Sequence, residues 1–148
     1  MPIFDEILRC CGSRKWAEAM AARWPFAATA AMLHEADAIW RRLDPEDWLE
    51  AFRAHPKIGE RTSTGWPQQE QSGTASASTD ERTELARLDC EYQDRFGYIF
   101  IVCATGKNTA EMLDALNERL RNPPAVEIQI AAEQQRQITR LRLLKLSQ

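Results

Sequence analysis

Two short stretches carry the residue types of proton chemistry. His55-Pro56-Lys57-Ile58-Gly59-Glu60 places a histidine ahead of a proline and ends on a carboxylate. Pro56 limits the backbone at its own position and at the one before it, so the imidazole is held in a defined place. Gly59 permits a tight turn or a close backbone approach. Histidine is the natural proton carrier near neutral pH. Glu70-Gln71 follow in a polar stretch. A carboxylate beside a histidine favours the imidazolium and can orient the ring, and an amide both donates and accepts hydrogen bonds. Together these residues would equip a metal-free acid/base catalyst. Each also has a plainer reading: a His-Pro pair can be structural, and a Glu/Gln-rich loop can simply be solvated.

Other candidates weigh less. His34 lies inside a helical pattern and reads as a surface or packing residue. Gly106-Lys107 resembles part of a phosphate loop. That loop needs a glycine where this chain has Ile101 and a Ser/Thr where it has Asn108, so the reading is rejected. Arg140 and Arg142 interrupt the apolar pattern of the last helix. Arg142 falls four residues after Ile138 and so points near the buried stripe, where it must meet an anion or lie along apolar surface with its head in water. Either arginine could face the site. Cys10, Cys11, Cys90 and Cys103 include no Cys-x-x-Cys spacing and read as reduced, partly buried thiols. With two histidines and no paired Cys/His spacing, a zinc site lacks ligands.

Composition narrows the classes further. The 148 residues suit one domain with a real core. The net charge of −3, with no basic run, argues against a nucleic-acid partner. No apolar stretch approaches the roughly 18–20 residues of a membrane span. Met1–Cys11 lacks the features of a signal peptide, so a cytoplasmic location is expected.

Helices must position these residues. Phe4, Ile7 and Leu8 begin a short apolar face. Ser13 can cap a helix over Arg14–Ala22, which Trp24-Pro25 breaks. Ala28–Leu43 carries Met32, Leu33, Ala36, Ile39 and Trp40 at helical spacing. Asp44-Pro45-Glu46-Asp47 is a strong helix start, and that helix must stop before Pro56. The polar stretch Arg61–Thr79 is a long loop, a kind that is often functional or disordered. Ser78-x-x-Glu81 opens a helix over Thr79–Phe96, with Leu85, Leu88, Tyr92 and Phe96 on one face, and Gly97 ends it. The apolar run Tyr98–Ala104 suits a buried extended segment. Asn108-x-x-Glu111 caps the next helix, which stops near Asn122-Pro123-Pro124. A last helix covers about Ala125–Leu146, with Val126, Ile130, Ile138, Leu141 and Leu144 marking its buried side. The expected architecture is one all-α domain, 1–148, of about seven helices with one short extended segment. That architecture does not decide function.

The ordered set of motifs resembles the OHCU decarboxylase family, whose full name is 2-oxo-4-hydroxy-4-carboxy-5-ureidoimidazoline decarboxylase. The resemblance runs through Arg23-Trp24-Pro25-Phe26, His55–Glu60, Glu70-Gln71-Ser72-Gly73 and Tyr92-x-x-x-Phe96-Gly97-Tyr98-Ile99-Phe100-Ile101. It continues in Glu118-Arg119-Leu120-x-Asn122 and Ile138-x-x-x-Arg142-Leu143. It implies an all-helical homodimer without cofactor, acting on a small ureidoimidazoline of urate catabolism. It implies His55 as proton donor with Glu70 and Arg142 as its partners. Pro56 and Gln71 would line the substrate, and Phe100, Ile101, Val102, Cys103 and Ala104 would offer it backbone groups. Pro67, three residues before Glu70, stands where the family can carry a serine, so it would meet the substrate without a hydroxyl. Two rival readings are a hydrolase of ureide metabolism and a non-enzymatic helical interaction module.

Overall fold

A computed structural model describes residues 3–55 and 79–146. Among them are seven α-helices and no strand. The fold is all-α, as expected. The chain divides into two compact units, Met1–Ala54 with Ala132–Gln148, and His55–Ala131. No described helix is long and apolar enough to cross a membrane.

The first unit holds α1 (Ile3–Cys10), α2 (Arg14–Arg23), α3 (Thr29–Arg42), α4 (Pro45–Arg53) and, from Ala132 on, the larger part of α7 (Pro124–Leu146). Helix α2 starts where Ser13 accepts a bond from the Trp16 N–H at 3.3 Å. Its packing partners are α1 and α3. Ile7, Trp16, Met20, Ile39, Trp40 and Phe52 are among the first unit's buried side chains. Three buried indoles each donate to a backbone carbonyl: Trp16 to Ala36 at 3.1 Å, Trp40 to Ala132 at 2.9 Å and Trp48 to Trp40 at 3.0 Å. A buried indole N–H needs such an acceptor, and each bond fixes its ring's orientation. Helix α4 opens at Asp44, whose N–H donates to the Asp47 carboxylate at 3.3 Å.

The second unit holds α5 (Thr79–Phe96), α6 (Thr109–Arg119) and the first turns of α7. Helices α5 and α6 pack together over Leu85, Leu88, Tyr92, Phe100, Met112 and Leu116. Gly97 ends α5 with φ +87°, a left-handed conformation that suits glycine. Residues 97–108 then run without helix or ladder. Asn108 closes the segment by accepting from the Glu111 N–H at 2.8 Å, while Glu111 accepts from the Asn108 N–H at 3.1 Å.

One expectation fails. Val126, assigned to the buried side of α7, is 46% exposed, and Ile130, Leu141 and Leu144 are only partly buried. Ile138 is buried as expected, and the rest of the buried face carries Glu127, Ala131, Gln135, Thr139, Arg142 and Leu143. Apolar periodicity misses this face because four of its members are polar. Three of them show why burial is tolerated: Glu127 pairs with Arg119, and Gln135 donates to Thr139 at 2.9 Å.

Candidate active site

His55 follows the C-terminal cap of α4, Ala54, and is partly buried. The capped start at Asp44-Pro45 and the short length of α4 therefore decide where the imidazole begins its turn. Pro56, Pro67, Glu70 and Gln71 lie outside the described residues, as does the Ser78 cap. His34 is exposed on α3.

The two arginine candidates separate cleanly. Arg140 is exposed, whereas Arg142 is 7% exposed, and its Nη1 donates to the Arg9 carbonyl at 3.4 Å. Arg9 lies in the last turn of α1, where carbonyl oxygens lack helical partners and the helix end carries partial negative charge. Cys10 and Cys11 lie in the same electrostatic neighbourhood. Burial pushes the Cys10 thiol up to about 12, against the opposing pull of Arg142, and the Cys11 thiol up to about 11. Both are therefore protonated and poorly nucleophilic at neutral pH. None of the four cysteines is in a disulfide; Cys90 is exposed and the other three are buried.

The Phe100–Ala104 strip is buried throughout. Three of its backbone groups are already engaged within the second unit. The Phe100 N–H donates to the buried Asp89 carboxylate at 3.2 Å. The Ile101 carbonyl accepts from Arg119 Nη1 at 2.6 Å. The Ala104 carbonyl accepts from the Lys107 N–H at 2.9 Å in the turn before Asn108. Since these residues form neither helix nor ladder, such bonds set the shape of the strip.

Behind the strip lies a buried polar network whose role the motifs alone did not reveal. Arg119 donates from Nε to Glu127 Oε2 at 2.8 Å, and its Nη2 lies 2.6 Å from the same oxygen. Glu127 is fully buried. Asn122 donates to Glu127 Oε1 at 3.0 Å, and the Tyr92 hydroxyl donates to Oε2. The Arg119 guanidinium lies 4.5 Å from the Phe100 ring centroid. Burial raises the Tyr92 phenol well above its ordinary value and raises the Tyr98 phenol too, so both keep their protons at neutral pH. A sequence signal did exist: Arg119 lies three residues after Leu116 and seven after Met112, which extends the buried face of α6.

Among the described residues, no group of three or more His, Cys, Asp or Glu side chains is arranged to hold a metal ion.

The chain matches the OHCU decarboxylase family model over residues 3–144. It is 39% identical to the uric acid degradation bifunctional protein TTL of Arabidopsis thaliana, over 96% of this chain and 46% of that protein. It is 37% identical to the 2-oxo-4-hydroxy-4-carboxy-5-ureidoimidazoline decarboxylase of Amia calva, over 62% of this chain and 56% of that one. The chain thus spans about half the length of these curated relatives. Among solved structures, it superposes with TM-score 0.87 and 42% identity, over 96% of both chains, on an OHCU decarboxylase crystallised in the presence of (S)-allantoin. A resemblance of this extent, joined to an all-α fold built as the ordered motifs require, means that the chain belongs to the OHCU decarboxylase family.

Proposed function

We propose that this protein decarboxylates 2-oxo-4-hydroxy-4-carboxy-5-ureidoimidazoline to (S)-allantoin in urate degradation, without a cofactor. The observation that carries the reading is the match, along 96% of both chains, to a decarboxylase solved in the presence of (S)-allantoin.

Decarboxylation leaves an electron pair on carbon, and many enzymes supply a cofactor as the sink. In this substrate an imine adjoins the carbon that bears the carboxylate. As the bond to CO₂ breaks, its electron pair forms a double bond to the ureido-bearing carbon, and the imine pair moves onto nitrogen. The hydroxyl-bearing carbon becomes the ring carbonyl of allantoin as the hydroxyl proton passes, directly or through solvent, to that ring nitrogen. A proton delivered to one face of the ureido-bearing carbon gives a single enantiomer. The protein then has two tasks, orienting the carboxylate and controlling that proton.

His55 is the proton donor in this proposal. Glu70 holds hydroxyl or ureido N–H groups and keeps His55 protonated, while Arg142 binds an anionic group of the substrate. The burial of Arg142 and the exposure of Arg140 favour Arg142 for that role. Pro56, Pro67 and Gln71 line the substrate, Pro67 without a hydroxyl. The Phe100–Ala104 backbone meets the ureide. General acid catalysis of this kind contributes roughly 10²–10⁴-fold, and positioning supplies the remainder. Residues 1–148 act as one catalytic domain, cytoplasmic and paired as a homodimer; sedimentation velocity tests the pairing.

The test generates substrate in situ from urate with the two upstream activities and follows allantoin by circular dichroism. The expected result is rapid formation of one enantiomer. Release of ammonia or urea in place of CO₂ would favour the hydrolase reading. Racemic allantoin at the spontaneous rate would favour a non-catalytic helical module.

A further inference from the structure

A buried ion pair is weak evidence for stability, because packed apolar residues often replace one at no cost. The pairing of Arg119 with Glu127 therefore calls for a further reason, and the geometry of the guanidinium supplies one. Its Nε and Nη2 face the Glu127 carboxylate, leaving Nη1 to hold the Ile101 carbonyl at 2.6 Å. Asn122 and Tyr92 fix the carboxylate from its other sides. The Phe100 ring covers the guanidinium at 4.5 Å. The arginine is thus a rigid bracket with one open end, and that end grips a backbone carbonyl in a segment without secondary structure of its own.

The Ile101–Val102 peptide is trans. In a planar trans peptide the carbonyl and the following N–H point in opposite directions. Anchoring the Ile101 carbonyl on Arg119 therefore turns the Val102 N–H away from Arg119. Among the described residues this N–H makes no hydrogen bond, although Val102 is only 9% exposed. Buried backbone N–H groups are nearly always paired. A carbonyl bonded to a cation also polarises its own peptide and strengthens the N–H as a donor.

We propose that Arg119, braced by Glu127, is a positioning residue that aims the Val102 N–H at a carbonyl oxygen of the ureide substrate and its product. This rests on the proposed function and extends it to a residue that does not itself touch substrate.

The direct test is a titration of the ¹⁵N-labelled wild-type protein with (S)-allantoin. The expected result is a saturable shift of the Val102 amide. A stationary Val102 amide, whether or not other amides move, overturns the proposal. The second arm is Arg119→Lys, which keeps a charge for Glu127 but cannot grip both the carboxylate and the carbonyl. The expected result is a KM raised about tenfold, the loss of one well-placed hydrogen bond, with kcat changed less than threefold and product chirality retained. A purely structural role would lower Tm and leave the KM of the folded enzyme unchanged, which also overturns the proposal. If Arg119→Lys fails to fold, Arg119→Met combined with Glu127→Leu removes both charges and is read in the same way. Wild-type protein that makes no chiral allantoin would refute the function itself. Chiral product with an unmoved Val102 amide refutes this inference alone.

Discussion

Two buried arginines, one in each unit, are equally hidden from solvent at 7% exposure and are held by different chemistry. Arg119 faces a fully buried carboxylate, a backbone carbonyl and an aromatic ring. Arg142 meets the carbonyl end of α1. A carboxylate cancels a guanidinium's charge and locks its plane, whereas the carbonyl end of a helix favours a cation through its partial negative charge. Arg119 thus has the setting of a brace, and Arg142 that of a cation seated at a helix's carbonyl end.

That contrast can be broken most decisively by matched substitutions. Arg119→Met strands Glu127 as an unpaired buried charge and should cost roughly 3–5 kcal/mol of stability, measured by urea unfolding. Arg142→Met should cost less than half of that while lowering kcat/KM about 100-fold, through loss of a charge-assisted contact to substrate. Equal stability losses, or an active Arg142→Met, would erase the distinction. A smaller effect tests the helix that carries Arg119. Removing the α6 cap by Asn108→Ala should cost about 1 kcal/mol, seen as a lower unfolding midpoint with turnover retained.

Alkaline pH probes both neighbourhoods together. Cys10, Cys11 and Tyr92 all hold their protons to higher pH when folded than when unfolded. The unfolded chain therefore releases protons first, and stability should fall as pH rises above about 9 toward 12. A urea midpoint that stays constant or rises between pH 8 and 10.5 would contradict this. The smallest effect concerns thiol labelling in the native protein. Cys90 should react first, with Cys10, Cys11 and Cys103 protected. Arg142→Met should slow Cys10 further, because it removes the charge that opposes the burial shift.

The parts of this molecule that sequence reveals are those decided locally. Ser13, Asp44-Pro45, Gly97 and Asn108 each mark a helix end through their own backbone or side-chain chemistry, and the structure ends or starts helices there. The buried face of α7 is decided elsewhere in the chain. Glu127 is buried because Tyr92 and Arg119, which lie on two other helices, supply its donors. Apolar spacing cannot register that, and so it favours Val126, which solvent reaches. The same limit applies to the candidate site. His55 and Arg142 stand out by residue type and position, whereas the spacing of Arg119 marks it only as a member of the buried face of α6, and its partners become visible only in the fold.

The central claim is that this chain delivers one proton to one face of carbon, and His55→Asn tests it most directly. With substrate generated in situ, circular dichroism of the product reports enantiomeric outcome independently of spontaneous decay. The expected outcome is (S)-allantoin from the wild-type protein and, from a folded His55→Asn variant, an enzymatic rate lower by at least ~100-fold, so that the product is largely racemic. A folded His55→Asn variant that makes (S)-allantoin at the wild-type rate would contradict it.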